Sequence, residues 1–534
     1  MHTPRDETQF GFSPGSGGGS GAGEGVRPSV EGDARLPPVP SLGTPSTHAL
    51  ARTAPERGAC AGIRPQDPEV DAREVRDTPP DLDHWQSRLD HLRAAHQVPG
   101  ASLAILTGGR IHPLVSGVLH RGTATPVTPG SVFQLGSLAK VYTATLIMRL
   151  VDSGELALGT RVVDVLPEFA TADSDITGLV TIRQLLSHTS GLACGLLHDS
   201  GRGDDCLARS VEACRSLAPD RRPGTAVSYS DTGYVLLGRI AEVITGTTWD
   251  RALRERLLSP LGLDHTMTLP EEALRFPVAM GHADGGPGKG PVPVPHWDPA
   301  PRSLGPAARV IATAADLAGL ARMHLDGGTA PGGARVMSVD AVAAMQHRET
   351  GVPDQWTVGA DGWGLGWTLY DWDGIPGYGH DGSAAGQWAF LRVVPETGVA
   401  VVLLTNGGRA RRLADALLGE ILEELCGVLL PEPFAPPADP PAVDLAPLVG
   451  TYRRAGAVIT VTAEGGRGRL VHDPADPTPD CRVPRELELI PVSGTVFAGS
   501  GGADEDEWLP VVFTRLPDGS RCLYIGMRAA NRSP

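Results

Sequence analysis

Large apolar side chains are spread so unevenly along this chain of 534 residues that only part of it can form a core. Residues 1–80 are rich in Gly, Pro, Ser, Arg and Asp and almost devoid of large apolar groups. Ordering such a segment costs more conformational entropy than burial can offset, so it is expected to be a disordered tail. A formal G-x-S-x-G match inside it, Gly11, Ser13 and Gly15, includes Pro14 and borders a glycine run, which deny it the strand, turn and helix of a nucleophile elbow.

From residue 81 the pattern changes. Trp85, Leu89, Leu92 and Ala95 recur at helical spacing, and Val98-Pro99-Gly100 then breaks into the apolar run 101–106, so a helix leads into a strand. Residues 136–151 read as a helix carrying Ala139, Tyr142, Thr143, Leu146, Ile147 and Leu150, with Ser137 in its first turn and Asp152-Ser153-Gly154 ending it. Two apolar runs, 387–394 and 399–405, are joined by Pro395-Glu396-Thr397-Gly398, a hairpin signature. A helix over 411–426 follows, with Leu413, Leu417, Ile421 and Leu425 on one face. The stretch 277–306 is mostly loop by composition, and no internal repeat of fixed period is present. A main domain over 81–430, a proline-rich linker over 431–442 and a β-rich module over 443–534 follow from these patterns, the last from short runs such as 457–462 and 509–513 between Gly, Pro and Asp turns.

A net charge of -16 and no basic stripe argue against a nucleic-acid partner. No run approaches the roughly 20 apolar residues of a membrane span, and the first thirty residues lack the apolar stretch of a signal peptide, so no membrane association and a cytoplasmic location are expected, unless the true start lies upstream and encodes export. The 7 cysteines have no framework or zinc spacing, and free thiols are expected, although Cys194, Cys206 and Cys214 share one loop-like segment. His188, His198 and His282 lack ligand spacing, so no metal or other cofactor is expected, and His188 reads as structural.

Among 46 basic residues, lysine occurs only at positions 140 and 289. Arginine serves well in solvated charge and ion pairs but cannot deprotonate, so a lysine retained in an apolar helical pattern points to chemistry that needs a neutral amine. Lys289 falls in a Gly/Pro-rich loop and is read as incidental. Lys140 follows Ser137 by three residues, which puts hydroxyl and amine on one helix face. At a helix N-terminus the backbone N–H of the serine is free to hold an oxyanion, and a buried lysine beside it is expected to have a lowered pKa and to act as a base.

Two further segments accompany this pair: Ser228-Tyr229-Ser230-Asp231 before an apolar helix, and Gly379-His380-Asp381-Gly382-Ser383 before the hairpin. With Ser137-Leu138-Ala139-Lys140 they resemble the three signatures of the serine β-lactamases, penicillin-binding proteins, D-Ala-D-Ala carboxypeptidases and related esterases. Gln184 to Leu192, Pro260 to Leu263 and Trp363 to Trp367 reinforce the resemblance, which runs over about 81–427. It implies an α+β fold with a five-stranded antiparallel sheet flanked by helices and an all-helical subdomain. It also implies Ser137 as nucleophile, Lys140 as base, Tyr229 as proton shuttle and His380 on the strand edging the cleft. The N–H groups of Ser137 and Ser383 would form the oxyanion hole, with Asp231, His380 and Gly382 lining the substrate site.

The departures from the family pattern bear on substrate. Asp231 stands where the family has asparagine, so a group that could donate is replaced by one that only accepts and that stabilises protonated Lys140. His380 replaces a lysine, so the cleft carries only a fractional charge near pH 7. Ala308-Arg309 stands where relatives often have paired glycines. The expected activity is a serine hydrolase acting through an acyl-enzyme on an ester or small amide, with a small-molecule or peptide substrate. A D-amino-acid peptidase or carboxypeptidase, an acyltransferase and a non-catalytic binding protein remain as alternatives.

Overall fold

The structure, a computed structural model, describes residues 80–192, 199–286, 288–474, 485–500 and 508–533. The expected tail with its Gly11, Ser13 and Gly15 match, and also Cys194 and His198, lie outside the described residues.

The first helix is Leu82–Ala95, capped by Asp81, whose carboxylate accepts from the His84 N–H at 3.0 Å. Its apolar face of Trp85, Leu89 and Leu92 is buried, and the chain then enters the strand Gly100–Thr107. That strand belongs to an antiparallel sheet whose five long members run, in spatial order, Arg110–His120, Gly100–Thr107, Val399–Thr405, Gln387–Val394 and Ile375–Ala384. Shorter strands extend both edges and bring the sheet to nine: Thr125–Pro126 on one side, and Thr368–Trp372, Gly362–Trp363 and Thr350–Gly351 on the other. The expected hairpin forms with Val394 opposite Val399, and Gly398 at φ 68 donates to the Pro395 carbonyl at 3.2 Å to close its turn.

Alternate residues of Val399–Thr405 enter two different cores. Val401 and Leu403 pack with Trp85, Phe390 and Leu417 under the helices Leu82–Ala95 and Ala410–Cys426. Val402 and Leu404 join the larger cluster beneath Ala139–Asp152, Asp231–Thr245 and Ala314–Leu325. A sheet buried on both faces in this way reads as continuous apolar sequence, which is why its hairpin was conspicuous.

The β-rich C-terminal module is a closed barrel of eight strands, from Gly450–Arg454 to Arg528–Arg532, with the first strand paired to the last. Tyr452, Ile459, Leu470, Phe497, Phe513 and Leu523 fill it. The outward-facing Val512, Cys522, Tyr524, Met527 and Ala529 pack with Val227, Val352 and Trp363, so one wall of the barrel is joined to the segment that carries Tyr229.

Candidate active site

Ser137 lies in a 3-10 turn, Gly136–Leu138, and the α-helix proper begins one residue later as Ala139–Asp152, which corrects the single helix expected over 136–151. The cause is Gly136, whose φ of 53 is left-handed backbone. A Cβ there would lie 2.2 Å from the Ser383 carbonyl oxygen, so the turn can abut the strand Ile375–Ala384 only as glycine. The strand answers with Gly382, where a Cβ would fall 2.0 Å from the Leu135 carbonyl oxygen and 3.0 Å from the Ser137 nitrogen. Backbone against backbone, the two segments bring the N–H of Ser137 beside Gly382 and Ser383.

Lys140 is fully buried. Its ammonium donates to Asp231 Oδ1 at 2.5 Å, to the Ala307 carbonyl at 2.9 Å and to Ser137 Oγ at 3.5 Å. Ala307 belongs to the short helix Gly305–Ala308, which Thr143 also holds through a hydrogen bond to the Pro306 carbonyl at 2.7 Å. Beside it, Arg309 forms a nearly buried ion pair with Asp298, which gives the unusual Ala308-Arg309 pair a structural partner. Asp231 opens the helix Asp231–Thr245, whose cap is Ser230, accepting from the Gly233 N–H at 3.2 Å. Burial alone pushes the Lys140 pKa down, as expected from the sequence. The Asp231 carboxylate, with Tyr229, more than offsets that and holds Lys140 above the usual lysine value, so it is an ammonium at neutral pH.

Tyr229 lies against this ammonium, with Lys140 Nζ 4.5 Å from its ring centroid. Its buried hydroxyl makes no hydrogen bond of normal geometry, yet is close enough for Lys140 and Ser137 to favour its ionised form; burial outweighs both and keeps its pKa raised. The ring is packed by His188 at 4.4 Å, Trp363 at 5.9 Å and His380 at 6.3 Å. His188, read from sequence as structural, thus borders the site; its backbone is left-handed at φ 57, and its Nδ1 accepts from the Ser230 N–H at 3.1 Å.

His380 is buried, with Nδ1 2.5 Å from the Asp381 carbonyl oxygen. Burial, helped by the Lys140 charge, lowers its pKa to about 4. The fractional charge expected near pH 7 is therefore absent, and the ring is neutral there.

A further wall comes from the barrel and was not legible in the sequence. The Tyr229 N–H donates to the Met527 carbonyl at 3.0 Å, the Ala529 N–H to Ser228 Oγ at 3.2 Å, and the Tyr524 hydroxyl to the Val227 carbonyl at 2.9 Å. The buried Asp354 carboxylate accepts from the Met527 N–H at 3.1 Å. Arg528, next along, has its guanidinium carbon 5.6 Å from the Tyr229 ring centroid and a nitrogen 3.9 Å from Asp231 Oδ2. Among the described residues, no group of three or more His, Cys, Asp or Glu is arranged to hold a metal ion, and no helix is long and apolar enough to cross a membrane. Cys206 and Cys214 are buried free thiols.

Comparison with known proteins matches the Beta-lactamase family model to residues 85–423. The chain is 59% identical over 378 residues to penicillin-binding protein 4 of Amycolatopsis lactamdurans, covering 71% of this chain and 99% of that one. It is 29% identical over 363 residues to esterase EstB of Burkholderia gladioli, covering 59% of this chain and 87% of the other. The crystal structure of SurE with D-Leu superposes with a TM-score of 0.66 at 30% identity, covering 84% of this chain and 99% of that one.

Proposed function

This chain belongs to the Beta-lactamase family, and from that premise we propose that it is a serine hydrolase in which Ser137 takes an acyl group from an ester or small amide and passes it to water. Ser137 Oγ attacks the carbonyl, its O–H bond breaking as the Oγ–C bond forms, and the N–H groups of Ser137 and Ser383 hold the oxyanion. The serine proton passes through Lys140 and Tyr229 to the departing alcohol or amine. Water then repeats the attack on the acyl-enzyme and releases the acid. Because Asp231 keeps Lys140 charged at neutral pH, Lys140 accepts a proton only after losing one, and kcat/KM is expected to rise with pH above neutrality.

The carrying observation is the 3.5 Å approach of Lys140 Nζ to Ser137 Oγ in a site where that same amine is fully buried and bound to Asp231. Treatment with a fluorophosphonate is expected to label the wild type and leave Ser137→Ala unlabelled. An unlabelled wild type would make this a binding protein that has kept only the fold.

The second reading is action on D-amino-acid amides or peptides, favoured by the likeness to SurE crystallised with D-Leu and to a penicillin-binding protein. Relative turnover of a short aryl ester, a chromogenic cephalosporin and a D-alanyl peptide separates the two. Adding an alcohol or amine and looking for the acylated product detects transfer in place of hydrolysis.

A further inference from the structure

Arg528 reaches the catalytic cluster from a different module, and the backbone that leads into it is held from both sides. Met527, just before it, adopts left-handed φ of 66, which a non-glycine residue holds only when its surroundings impose it. Those surroundings are its carbonyl bond from the Tyr229 N–H and its N–H bond to the buried Asp354. The guanidinium so delivered lies 3.9 Å from Asp231 Oδ2, while Lys140 holds the other oxygen, Oδ1, at 2.5 Å.

One carboxylate is thus shared between a cation that can lose its proton and one that cannot. We propose that Arg528 is a positioning residue of the acyl-transfer site: by drawing on the outer oxygen of Asp231, it loosens the hold of that carboxylate on the proton of Lys140. The inference rests on the reading of Ser137 as an acylated nucleophile. It also gives a role to the Asp231 departure, since a neutral asparagine would leave an arginine here no charge to share.

The other groups facing Lys140 do not supply this counterweight. Tyr229 and Tyr234 turn ring faces toward the ammonium, with centroids at 4.5 and 5.7 Å, Ser137 offers a hydroxyl, and Ala307 a carbonyl. His188 and His380 both have pKa values lowered by burial and are neutral at neutral pH. Arg528 keeps about a third of its side chain exposed, at 32%, so its effect is a tuning of the pair rather than a third full partner.

The test is the pH dependence of kcat/KM for an uncharged aryl ester, in the full-length wild type, Arg528→Gln, Asp231→Asn and the double variant. Arg528→Gln is expected to move the acid limb upward by about half to one pH unit, and Arg528→Lys to restore most of that shift. On the Asp231→Asn background, adding Arg528→Gln is expected to move the limb less than half as far. An unmoved limb in Arg528→Gln overturns the proposal, and a KM effect confined to carboxylate-bearing substrates would make Arg528 a substrate contact instead. An equal shift on both backgrounds overturns the route through Asp231. If Arg528→Gln melts early, Arg528→Met, which keeps the stem packing, gives the same reading. A wild type that fluorophosphonate does not label sinks the hydrolase reading, whereas a labelled wild type with an unmoved limb sinks only this inference.

Discussion

Two charge clusters meet the strand Ile375–Ala384 near its His380-Asp381 step, and they are built from different cations. On one side Asp381 is bound by Arg392 at 2.5 Å and Arg411 at 2.6 Å, contributed by the neighbouring strand and by the helix Ala410–Cys426. These two guanidinium groups hold the Asp381 carboxyl far below the usual carboxylate range in spite of its burial. On the other side, beyond His380, Lys140 is bound by Asp231. The two arginines of the first cluster keep their protons across the neutral range, so they fix geometry; the lysine of the second can give its proton up, which suits chemistry. A chain that uses arginine for nearly all of its 46 basic residues thereby marks its exception.

The contrast breaks most sharply at Lys140. Lys140→Arg keeps the charge and removes the titratable amine, and kcat/KM per folded molecule is expected to fall about a thousandfold, in the range of general-base contributions. Retention of a tenth of wild-type turnover on an aryl ester would mean that the amine is not needed in its neutral form.

The matching change in the other cluster is Asp381→Asn, which leaves the nearly buried Arg392 and the partly exposed Arg411 without this carboxylate. Solvent at Arg411 screens part of the lost attraction, so a loss of about 2–3 kcal/mol in stability is expected, read from the denaturant midpoint. The sign with pH follows from the depressed folded pKa: the stabilisation from Asp381 is present above the unfolded carboxylate pKa and is lost only as pH falls toward the lower folded value. Asp381→Asn should therefore lose that portion of the acid dependence along with the stability.

How much of this was legible in the sequence depends on whether the information was local. Ser137 and Lys140 sit one turn apart, so their spacing alone placed them together. Gly382 and Ser383 were visible as motif though not as geometry, whereas Gly136 read only as the first residue of a helix and its close backbone contact was not visible. The hairpin 387–405 was visible because both faces of its strands are buried. The barrel wall was not, since nothing near Arg528 in the chain refers to Tyr229, which lies about three hundred residues away. One sign was present: the run Leu509 to Phe513 is apolar on both faces, Val511 and Phe513 filling the barrel while Val512 packs with Val227, and a barrel strand with two apolar faces needs something to dock against. The Lys140 pKa was legible as two opposed effects, a fall from burial and a rise from the Asp231 departure, and contact between the two groups decides for the rise.

Asp231→Asn sharpens the comparison by making the lysine cluster poorer in charge while the arginine cluster is untouched. Lys140 should then give up its proton more easily, moving the acid limb of kcat/KM down by about one to two pH units. In the wild type the raised folded pKa of Lys140 adds stability that is fully present below the unfolded lysine value and is lost as pH rises through the folded one. The variant should show a flatter loss of stability in alkali. A limb that stays in place would assign it to a group other than Lys140.

The smallest expected effect belongs to His380, which stands between the two clusters and joins neither as a charge. Its folded pKa of about 4 lies below the ordinary 6.5, so between those values the unfolded chain binds the proton more readily than the native one. Acidification through that window penalises the fold, by about 1 kcal/mol at pH 5.5 for a shift of this size. His380→Gln removes the titration and keeps a neutral polar side chain. Its stability should therefore fall by about 1 kcal/mol less than that of the wild type between pH 7 and 5.5, measured from denaturant midpoints at both values. The buried His188 and His324, whose pKa values are also lowered, are present in both proteins and cancel from the difference. Parallel losses in the two proteins would mean that His380 titrates in the fold as it does in the unfolded chain, and the cleft would then gain on acidification the cation that burial here denies it.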